Sequence, residues 1–289
     1  MSLNPVEKGT NFRKRPITPN TKLYCVLGNP VSHSLSPIIH NHAFIHKGMD
    51  AVYMAFSPAT ARGAVRAVRE LGICGASVTL PFKEAIMDEL DWIHEDAQKI
   101  GAVNTLVNED GRLMGYNTDS KAAVDPLIPH GIRGQRVLIM GAGGAARAVA
   151  HGINSHGGKL FISNRSRERG KILAQEFKGE FIAPADLEKF NPDFIINTTS
   201  LGMDSNPGLS CPLTCIQGAR VVLDVVYTPL ETPLIKVAGK MGIPCIDGLS
   251  MFVAQGAAQF KLWTGLSVNL EKLRQSILDF KETKDDKRN

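Results

Sequence analysis

The sequence lacks any apolar run that approaches the roughly 20 residues needed to cross a bilayer, and no apolar stretch follows the charges near its start. We therefore expect no membrane span and no secretory signal. The five cysteines follow no regular spacing, which argues against a disulfide framework and favours a reducing compartment such as the cytoplasm. Aromatic residues are only 6% of the chain and form no stripe, so we expect them in the core.

The net charge of +5 comes in part from a basic tail at the start of the chain. Four basic residues and one acidic residue precede Thr21. No aromatic or recognition pattern accompanies these charges, so we predict a flexible, solvated tail over residues 1–20 and no nucleic-acid partner.

Short apolar runs alternate with helical patterns through most of the chain, which is typical of an α/β fold. One series of such units ends near Asp119, and a second begins at Gly134. We predict an N-terminal α/β domain over residues 21–119 and a Rossmann-type domain over residues 120–248. The last helices, within residues 249–289, are expected to return to the first domain and leave a cleft between the two.

The patterns predict individual elements as well. Strands are expected at residues 22–28, 51–56, 75–80, 105–107, 112–116, 136–140, 159–164, 193–197, 221–226 and 243–246. Helices are expected at residues 37–46, 60–71, 83–90 and 93–99, and at about residues 250–264 and 269–280.

A glycine-rich loop with the sequence GAGGAA occupies residues 141–146, between a predicted strand and a predicted helix. Gly141 allows the tight turn, Gly143 lets the backbone approach a pyrophosphate, and the small Ala146 lets the helix pack on the strand. The helix N-terminus then offers free N–H groups to the phosphates. These features predict a dinucleotide site.

The end of the next strand indicates which dinucleotide is bound. An NAD site has an acid there that accepts a hydrogen bond from the ribose, but this strand ends in Asn164, Arg165 and Ser166. Arg165 and Arg169 could instead hold a 2′-phosphate through charge-assisted hydrogen bonds. We therefore predict NADP rather than NAD.

Polar residues in the first 119 positions lie where strands or loops meet helices or turns. They supply hydroxyls, an amide, one cation and one anion, a set suited to a small polyhydroxylated acid. Ser36 precedes Pro37 and is predicted to cap a helix. The hydroxyls of Ser34 and Ser36 beside that helix N-terminus could also hold a carboxylate, and capping competes with this role for Ser36 but not for Ser34. The members of the set are Ser34, Ser36, Thr79, Lys83, Asn104 and Asp119.

The chain resembles the shikimate dehydrogenase family from about Thr21 to its last helix. The resemblance rests on ordered motifs: GNPVSHSLSP at residues 28–37, VTLPFK at 78–83, GAVNT at 101–105, NTD at 117–119, GAGGAA at 141–146, NTTSLGM at 197–203, DVVY at 224–227 and residues 248–255. It implies reversible reduction of 3-dehydroshikimate to shikimate by NADPH, in the shikimate pathway to chorismate and the aromatic amino acids. The first domain would then bind substrate and carry out catalysis, and the second would bind NADP.

The resemblance also implies roles for individual residues. Lys83 and Asp119 would be the catalytic pair. Substrate would be bound by Ser34, Ser36, Thr79, Asn104, Tyr227 and Gln255. The expected contacts to NADP are Gly141, Gly143, Gly144, Ala145, Asn164, Arg165, Ser166, Arg169, Thr198, Gly202, Met203, Gly248 and Met251. Ser166 stands where the family usually has threonine, and it keeps the hydroxyl.

Three alternatives stay open. A relative of broader specificity would also take quinate, although such relatives often have threonine where this chain has Ser36. A folate-type dehydrogenase is disfavoured by the two serines and Asp119, and a non-catalytic NADPH-sensing protein would be expected to have lost Lys83 or Asp119.

Four histidines lie between residues 33 and 46, but their spacing does not bring three of them to one face of a helix, so no metal is predicted. The expected assembly is a monomer or homodimer.

Overall fold

The computed structural model describes residues 16–286, with side chains through residue 283. Most of the predicted N-terminal tail therefore lies outside the described residues. Within them the chain forms two six-stranded sheets with helices packed on both faces. The predicted α/β fold with a Rossmann-type second sheet is confirmed.

The first sheet has the strand order β2-β1-β3-β5-β6-β4, and β5 runs antiparallel to its two neighbours. Its strands are β1 (Lys22–Leu27), β2 (Ala51–Phe56), β3 (Gly75–Val78), β4 (Trp92–Ile93), β5 (Thr105–Glu109) and β6 (Arg112–Tyr116). The helices within this part of the chain are α1 (Ser36–His46), α2 (Ala61–Glu70), α3 (Phe82–Ala85) and α4 (Glu95–Ile100).

The second sheet is wholly parallel, with the order β12-β11-β10-β7-β8-β9. Its strands are β7 (Arg136–Met140), β8 (Lys159–Ser163), β9 (Glu180–Phe181), β10 (Phe194–Asn197), β11 (Val221–Asp224) and β12 (Cys245–Ile246). Its helices are α5 (Asp119–Val124), α6 (Gly144–Ser155), α7 (Arg167–Glu176), α8 (Leu213–Gln217) and α9 (Pro233–Lys240). The strand order reverses between β7 and β10, and such a switch point is where doubly wound sheets bind ligands.

The two last helices, α10 (Gly248–Thr264) and α11 (Leu270–Asp286), close the first domain. Leu249, Val253 and Phe260 of α10 are buried in the same apolar cluster as Tyr24 of β1 and Phe44 of α1. Met251, on another side of α10, belongs to the cluster beneath α5 and α6. One helix therefore contributes to the core of both halves, as the predicted return of the chain requires.

Several elements differ from the predicted ones. The helix predicted over residues 93–99 begins two residues later, because β4 pairs with β6 through Ile93 and His94 then caps α4 by accepting a hydrogen bond from the Asp96 N–H. The helix predicted over residues 83–90 is a short α3 followed by a 3₁₀ turn at Met87–Glu89. The two-residue strands β4 and β9 are too short to leave a period-2 pattern.

Candidate active site

Lys83 and Asp119 form a buried ion pair at the boundary between the two domains. Lys83 lies in the first turn of α3 and Asp119 is the first residue of α5. Lys83 Nζ donates to Asp119 Oδ2 at 2.6 Å, and the side chains are only 14% and 6% exposed. A shielded pair of this kind can hold a proton at a defined position beside a substrate.

Asn104 holds the other oxygen of the carboxylate. Its Nδ2 donates to Asp119 Oδ1 at 2.8 Å and to Thr118 Oγ1 at 2.9 Å. Its Oδ1 accepts from the Thr118 N–H and from the Thr105 hydroxyl. Asn104 is 1% exposed, and protein groups already use both N–H bonds of its amide. Its predicted contact with a ring hydroxyl stays a prediction.

Ser34 and Ser36 lie together at the start of α1. Ser34 Oγ donates to Ser36 Oγ at 3.2 Å and accepts from the Ser36 N–H at 3.2 Å. The prediction that Ser36 caps the helix is wrong: Leu35 is the N-cap, and its own side chain supplies no capping bond. Ser36 is the first residue of α1, and its hydroxyl accepts from the Ser34 hydroxyl rather than from a backbone N–H of the first turn, so capping does not compete for it.

The remaining predicted substrate residues lie in three separate parts of the structure: two follow strands and one is within a helix. Thr79 follows β3, and its N–H donates to the Leu27 carbonyl at the end of β1. Tyr227 follows β11 and packs on Phe252 of α10, with ring centroids 4.6 Å apart. Burial raises the pKa of Tyr227 to about 12, so its hydroxyl is a neutral donor at physiological pH. Gln255 is buried on α10, and its Nε2 donates to the Phe252 carbonyl.

The glycine-rich loop connects β7 to α6 at the switch point of the second sheet. Gly141 has φ +118°, and a Cβ there would lie 2.6 Å from Thr198 Oγ1, so the turn requires glycine. The space beside Gly143 is open, as a backbone that receives a pyrophosphate needs. Ala145 lies in the first turn of α6, whose N–H groups face the loop. The loop, open space and helix end together fit the diphosphate of a dinucleotide.

The end of β8 carries the residues predicted to bind the 2′-phosphate. Ser166 caps α7 by accepting from the Arg169 N–H, and Asn164 Nδ2 donates to the Ser166 carbonyl. Arg165 is exposed. Arg169 Nη2 donates to the Ala142 carbonyl at 3.3 Å, so its guanidinium reaches back over the glycine-rich loop.

Two loops at the ends of β10 and β11 are held together by the buried Asp224. Its carboxylate accepts from Asn197 Nδ2, the Val226 N–H and Thr232 Oγ1. Burial raises the pKa of Asp224, and these three donors partly oppose the shift. The predicted cofactor residues Thr198, Gly202 and Met203 lie on the first of these loops. Thr198 Oγ1 donates to the Met140 carbonyl, which joins this loop to the end of β7.

The start of α10 is the last part of the candidate site. Gly248 is its first residue, and Met251 is buried one turn later. Asp247 caps the helix and forms two hydrogen bonds with Arg274 of α11, each 3.0 Å long. The guanidinium lowers the pKa of Asp247 against the opposing effect of burial. Arg274 therefore fixes the helix end that carries Gly248 and Met251.

The sequence reasoning missed a buried polar group behind the site. Gln259 of α10 is 1% exposed and bonds to Asn104, Thr105 and Ser77. A signal was present, because Gln259 lies four residues after Gln255 on a largely apolar helix, so the two project from the same side. A second buried amide at that spacing indicates a polar partner beneath it.

Other kinds of site find little support within residues 16–286. No group of three or more histidine, cysteine, aspartate or glutamate side chains there could hold a metal. No helix in the same range is long and apolar enough to cross a bilayer. The polar side chains instead converge on the boundary between a hydroxyl-rich domain and a dinucleotide fold, an arrangement suited to hydride exchange with a small alcohol.

Three segments of the chain match described families. Residues 26–106 match the shikimate dehydrogenase substrate binding domain, and residues 127–200 match shikimate / quinate 5-dehydrogenase. Residues 248–278 match the shikimate 5′-dehydrogenase C-terminal domain.

Whole proteins match over nearly their full length. The shikimate dehydrogenase (NADP(+)) of Caldanaerobacter subterraneus subsp. tengcongensis is 41% identical over 263 residues, which cover 86% of this chain and 94% of that relative. The structure of shikimate 5-dehydrogenase from Thermus thermophilus in complex with NADP(H) and shikimate has a TM-score of 0.80 at 34% identity, covering 88% of this chain and 98% of that one. Quinate dehydrogenase from Corynebacterium glutamicum in complex with NAD has a TM-score of 0.82 at 28% identity, covering 89% and 99%.

Proposed function

The chain belongs to the shikimate dehydrogenase family, and we propose that it catalyses the reversible, NADP-dependent reduction of 3-dehydroshikimate to shikimate. It is an oxidoreductase that acts on a CH–OH group, with a role in the pathway to aromatic amino acids. The observation that carries the catalytic assignment is the 2.6 Å bond between Lys83 and Asp119, where the substrate domain meets the glycine-rich loop.

The substrate carboxylate is assigned to the hydroxyls at the start of α1. Ser34 and Ser36 lie beside a helix N-terminus, which favours an anion without needing an arginine. Tyr227 packs against the apolar cluster that contains Leu35, the residue between the two serines, and it offers a neutral O–H donor. Thr79, Asn104 and Gln255 complete the set that would hold the ring hydroxyls.

Lys83 and Asp119 would carry the proton chemistry. Bound NADPH would supply the hydride to the ketone carbon. As negative charge grows on the ketone oxygen, the Lys83 ammonium stabilises it and delivers a proton. Asp119 keeps Lys83 in place through Oδ2, while Asn104 holds Oδ1. In shikimate oxidation the same lysine, unprotonated, accepts the proton.

The cofactor would be held by the second domain and the start of α10. Gly141, Gly143, Gly144 and Ala145 would surround the pyrophosphate, with Asn164, Arg165, Ser166 and Arg169 at the 2′-phosphate. Met251, with the backbone near Gly202 and Met203, would pack by the nicotinamide, and Thr198 and Gly248 would be further cofactor contacts. The chain positions these groups, and the cofactor determines the redox chemistry.

The proposal includes the domain limits, with residues 21–119 and 249–289 forming the substrate domain and residues 120–248 the NADP domain. The packing of α10 and α11 on α1 supports that division. We further propose a cytoplasmic enzyme that is a monomer or homodimer.

The test is a two-by-two assay that follows reduced nicotinamide by absorbance, with shikimate or quinate against NADP or NAD. Strong activity only with shikimate and NADP is the expected result. Comparable activity with quinate or NAD would make this a broader quinate/shikimate dehydrogenase. No activity in any combination, from folded protein that still binds NADPH, would favour a sensing role and overturn the proposal.

A further inference from the structure

A chain of hydrogen bonds runs through the core of the substrate domain and ends at Asp119. It begins at Tyr53 on β2, whose hydroxyl donates to Ser77 Oγ at 2.6 Å. Ser77 Oγ donates to Gln259 Oε1, also at 2.6 Å. All three side chains are at least nine-tenths buried. Burial of a polar group is costly unless the group is hydrogen-bonded, so these bonds are maintained in the folded protein.

The chain continues from Gln259 to the active site. Gln259 Nε2 donates to Thr105 Oγ1 and to the Asn104 carbonyl, each at 3.1 Å. Thr105 Oγ1 then donates to Asn104 Oδ1 at 2.6 Å, and Asn104 Nδ2 donates to Asp119 Oδ1. The last member is the carboxylate that accepts from Lys83.

The backbone fixes the direction of this chain. The Asn104 carbonyl can only accept, so the N–H end of the Gln259 amide must face it. The second N–H of the Gln259 amide donates to Thr105 Oγ1. The one proton of the Thr105 hydroxyl is therefore directed to Asn104 Oδ1. The Thr118 N–H, which can only donate, also requires Oδ1 at that place. Asn104 therefore presents N–H, and not oxygen, to the Asp119 carboxylate.

We propose that Gln259 is a positioning residue for catalysis: through Thr105 it locks the Asn104 amide and so holds Asp119 in register with Lys83. The inference rests on the proposed roles of Lys83 and Asp119. Without Gln259 the Thr105 proton is free to turn elsewhere, and the Asn104 side chain loses one of the groups that define its orientation. Asp119 is then held less firmly, because one of its two strong partners is less well placed.

The first test replaces Gln259 with methionine, which keeps an unbranched side chain of similar length but neither donates nor accepts strongly. Shikimate oxidation by Q259M should show kcat/KM lower by roughly tenfold, which corresponds to about 1.4 kcal/mol of transition-state stabilisation. The KM for NADP should stay within twofold, because none of the predicted cofactor contacts belongs to the chain of bonds. Melting temperature and NADPH affinity report whether the variant is folded.

Thr105 provides the matched pair. T105V removes the hydroxyl at nearly constant shape and should match Q259M, whereas T105S keeps the hydroxyl and should retain near-normal kcat/KM. The double variant Q259M/T105V should be little worse than either single variant, since both break the same connection. A purely structural role would instead lower the melting temperature of these variants and leave kcat/KM of the folded protein close to that of the wild type.

Two results would overturn the positioning role. One is unchanged kcat/KM for shikimate in folded Q259M; the other is equal activity of T105S and T105V. Lys83→Met is assayed in parallel, so that an error in the role given to Gln259 can be distinguished from an error in the proposed function. An active wild type, an inactive Lys83→Met and a normal Q259M would reject only the role of Gln259. An inactive wild type would reject the proposed function itself.

Discussion

Gly144 of the glycine-rich loop lies directly against the side chain of Lys83. A Cβ at Gly144 would lie 3.1 Å from both Cβ and Cδ of Lys83. Ala102, in the loop before β5, lies on the same side, 3.6 Å from that position. The loop proposed to hold the pyrophosphate therefore also sets the position of the lysine proposed to move the proton.

Gly144→Ala should reduce turnover without unfolding the protein. The added methyl group pushes the Lys83 stem by a few tenths of an ångström, away from the 2.6 Å contact with Asp119. Small displacements of a reacting group are costly, so we expect kcat to fall roughly tenfold or more. Steady-state kinetics with shikimate and NADP, together with a melting curve, measure the effect.

Gly239→Ala is the matched control for Gly144→Ala. Gly239 lies within α9, and no neighbouring atom would approach a Cβ there within 4 Å. It should leave the kinetics unchanged and raise the free energy of unfolding by about 0.4–1 kcal/mol, because alanine restricts the unfolded chain. Normal turnover in Gly144→Ala would show that the loop does not constrain Lys83.

Lys83→Met should abolish most of the activity while NADPH binding persists. Methionine keeps the aliphatic packing against Gly144 but cannot stabilise the oxyanion or transfer a proton. Loss of an acid–base group costs on the order of 100- to 10,000-fold in rate. Lys99→Met is the control, since Lys99 pairs with Glu95 on an exposed helix face. If Lys83→Met retained more than a tenth of the wild-type kcat, the assignment would be wrong.

Replacing Arg165 or Arg169 with alanine should weaken NADP selectively. Each variant would lose the charge-assisted hydrogen bond proposed to the 2′-phosphate, so the KM for NADP should rise roughly 10- to 100-fold and that for NAD should change little. Arg167→Ala, at the start of the same helix, is the control. Equal effects on the two cofactors would point to a general loss of loop structure, because Arg169 also bonds the Ala142 carbonyl.

His40 should make the protein less stable in mild acid. Burial lowers the pKa of His40 from 6.5 to about 3, against a smaller opposing effect of Gln259. Between those values the unfolded chain binds a proton that the folded protein does not. The free energy of unfolding therefore falls as the pH drops from about 6.5 to 3, by at most about 1.4 kcal/mol per pH unit from this residue.

The comparison is with His40→Phe, which keeps a ring stacked on Tyr53. Urea unfolding midpoints between pH 7.5 and 4.5 should fall less steeply for the variant than for the wild type. Some slope will persist, since burial also lowers the pKa values of His42 and His151. Parallel curves would contradict the role of His40.

Much of the second domain follows from its sequence alone. Strands β7, β10 and β11 each contain an unbroken run of three or four buried apolar residues, so their type and order along the chain are visible. The spacing of the glycines in the G-x-G-x-x-A loop identifies the switch point of the sheet from the sequence as well. The strand β4 is different. Trp92 and Ile93 form a strand only because β6 lies beside them, and this pairing depends on the tertiary structure rather than on the local sequence.

The individual candidate residues were visible because each interrupts an apolar pattern where an element begins or ends. Their connections were not. Lys83 and Asp119 are 36 positions apart, and Gln259 lies 154 positions from Thr105, so only the folded chain shows that they touch. Ser36 illustrates the opposite error, because a local capping rule predicted a role that the backbone assigns to Leu35.

The return of α10 has a consequence for synthesis on the ribosome. Leu249, Val253 and Phe260 complete the core around Tyr24 and Phe44, so the part of the chain translated first lacks its cover until more than two hundred residues have followed. The strands β7 to β12 find their partners within a much shorter stretch. The second domain can therefore become compact while the first still exposes an apolar face, and such transiently exposed surface is where nascent chains are prone to aggregate.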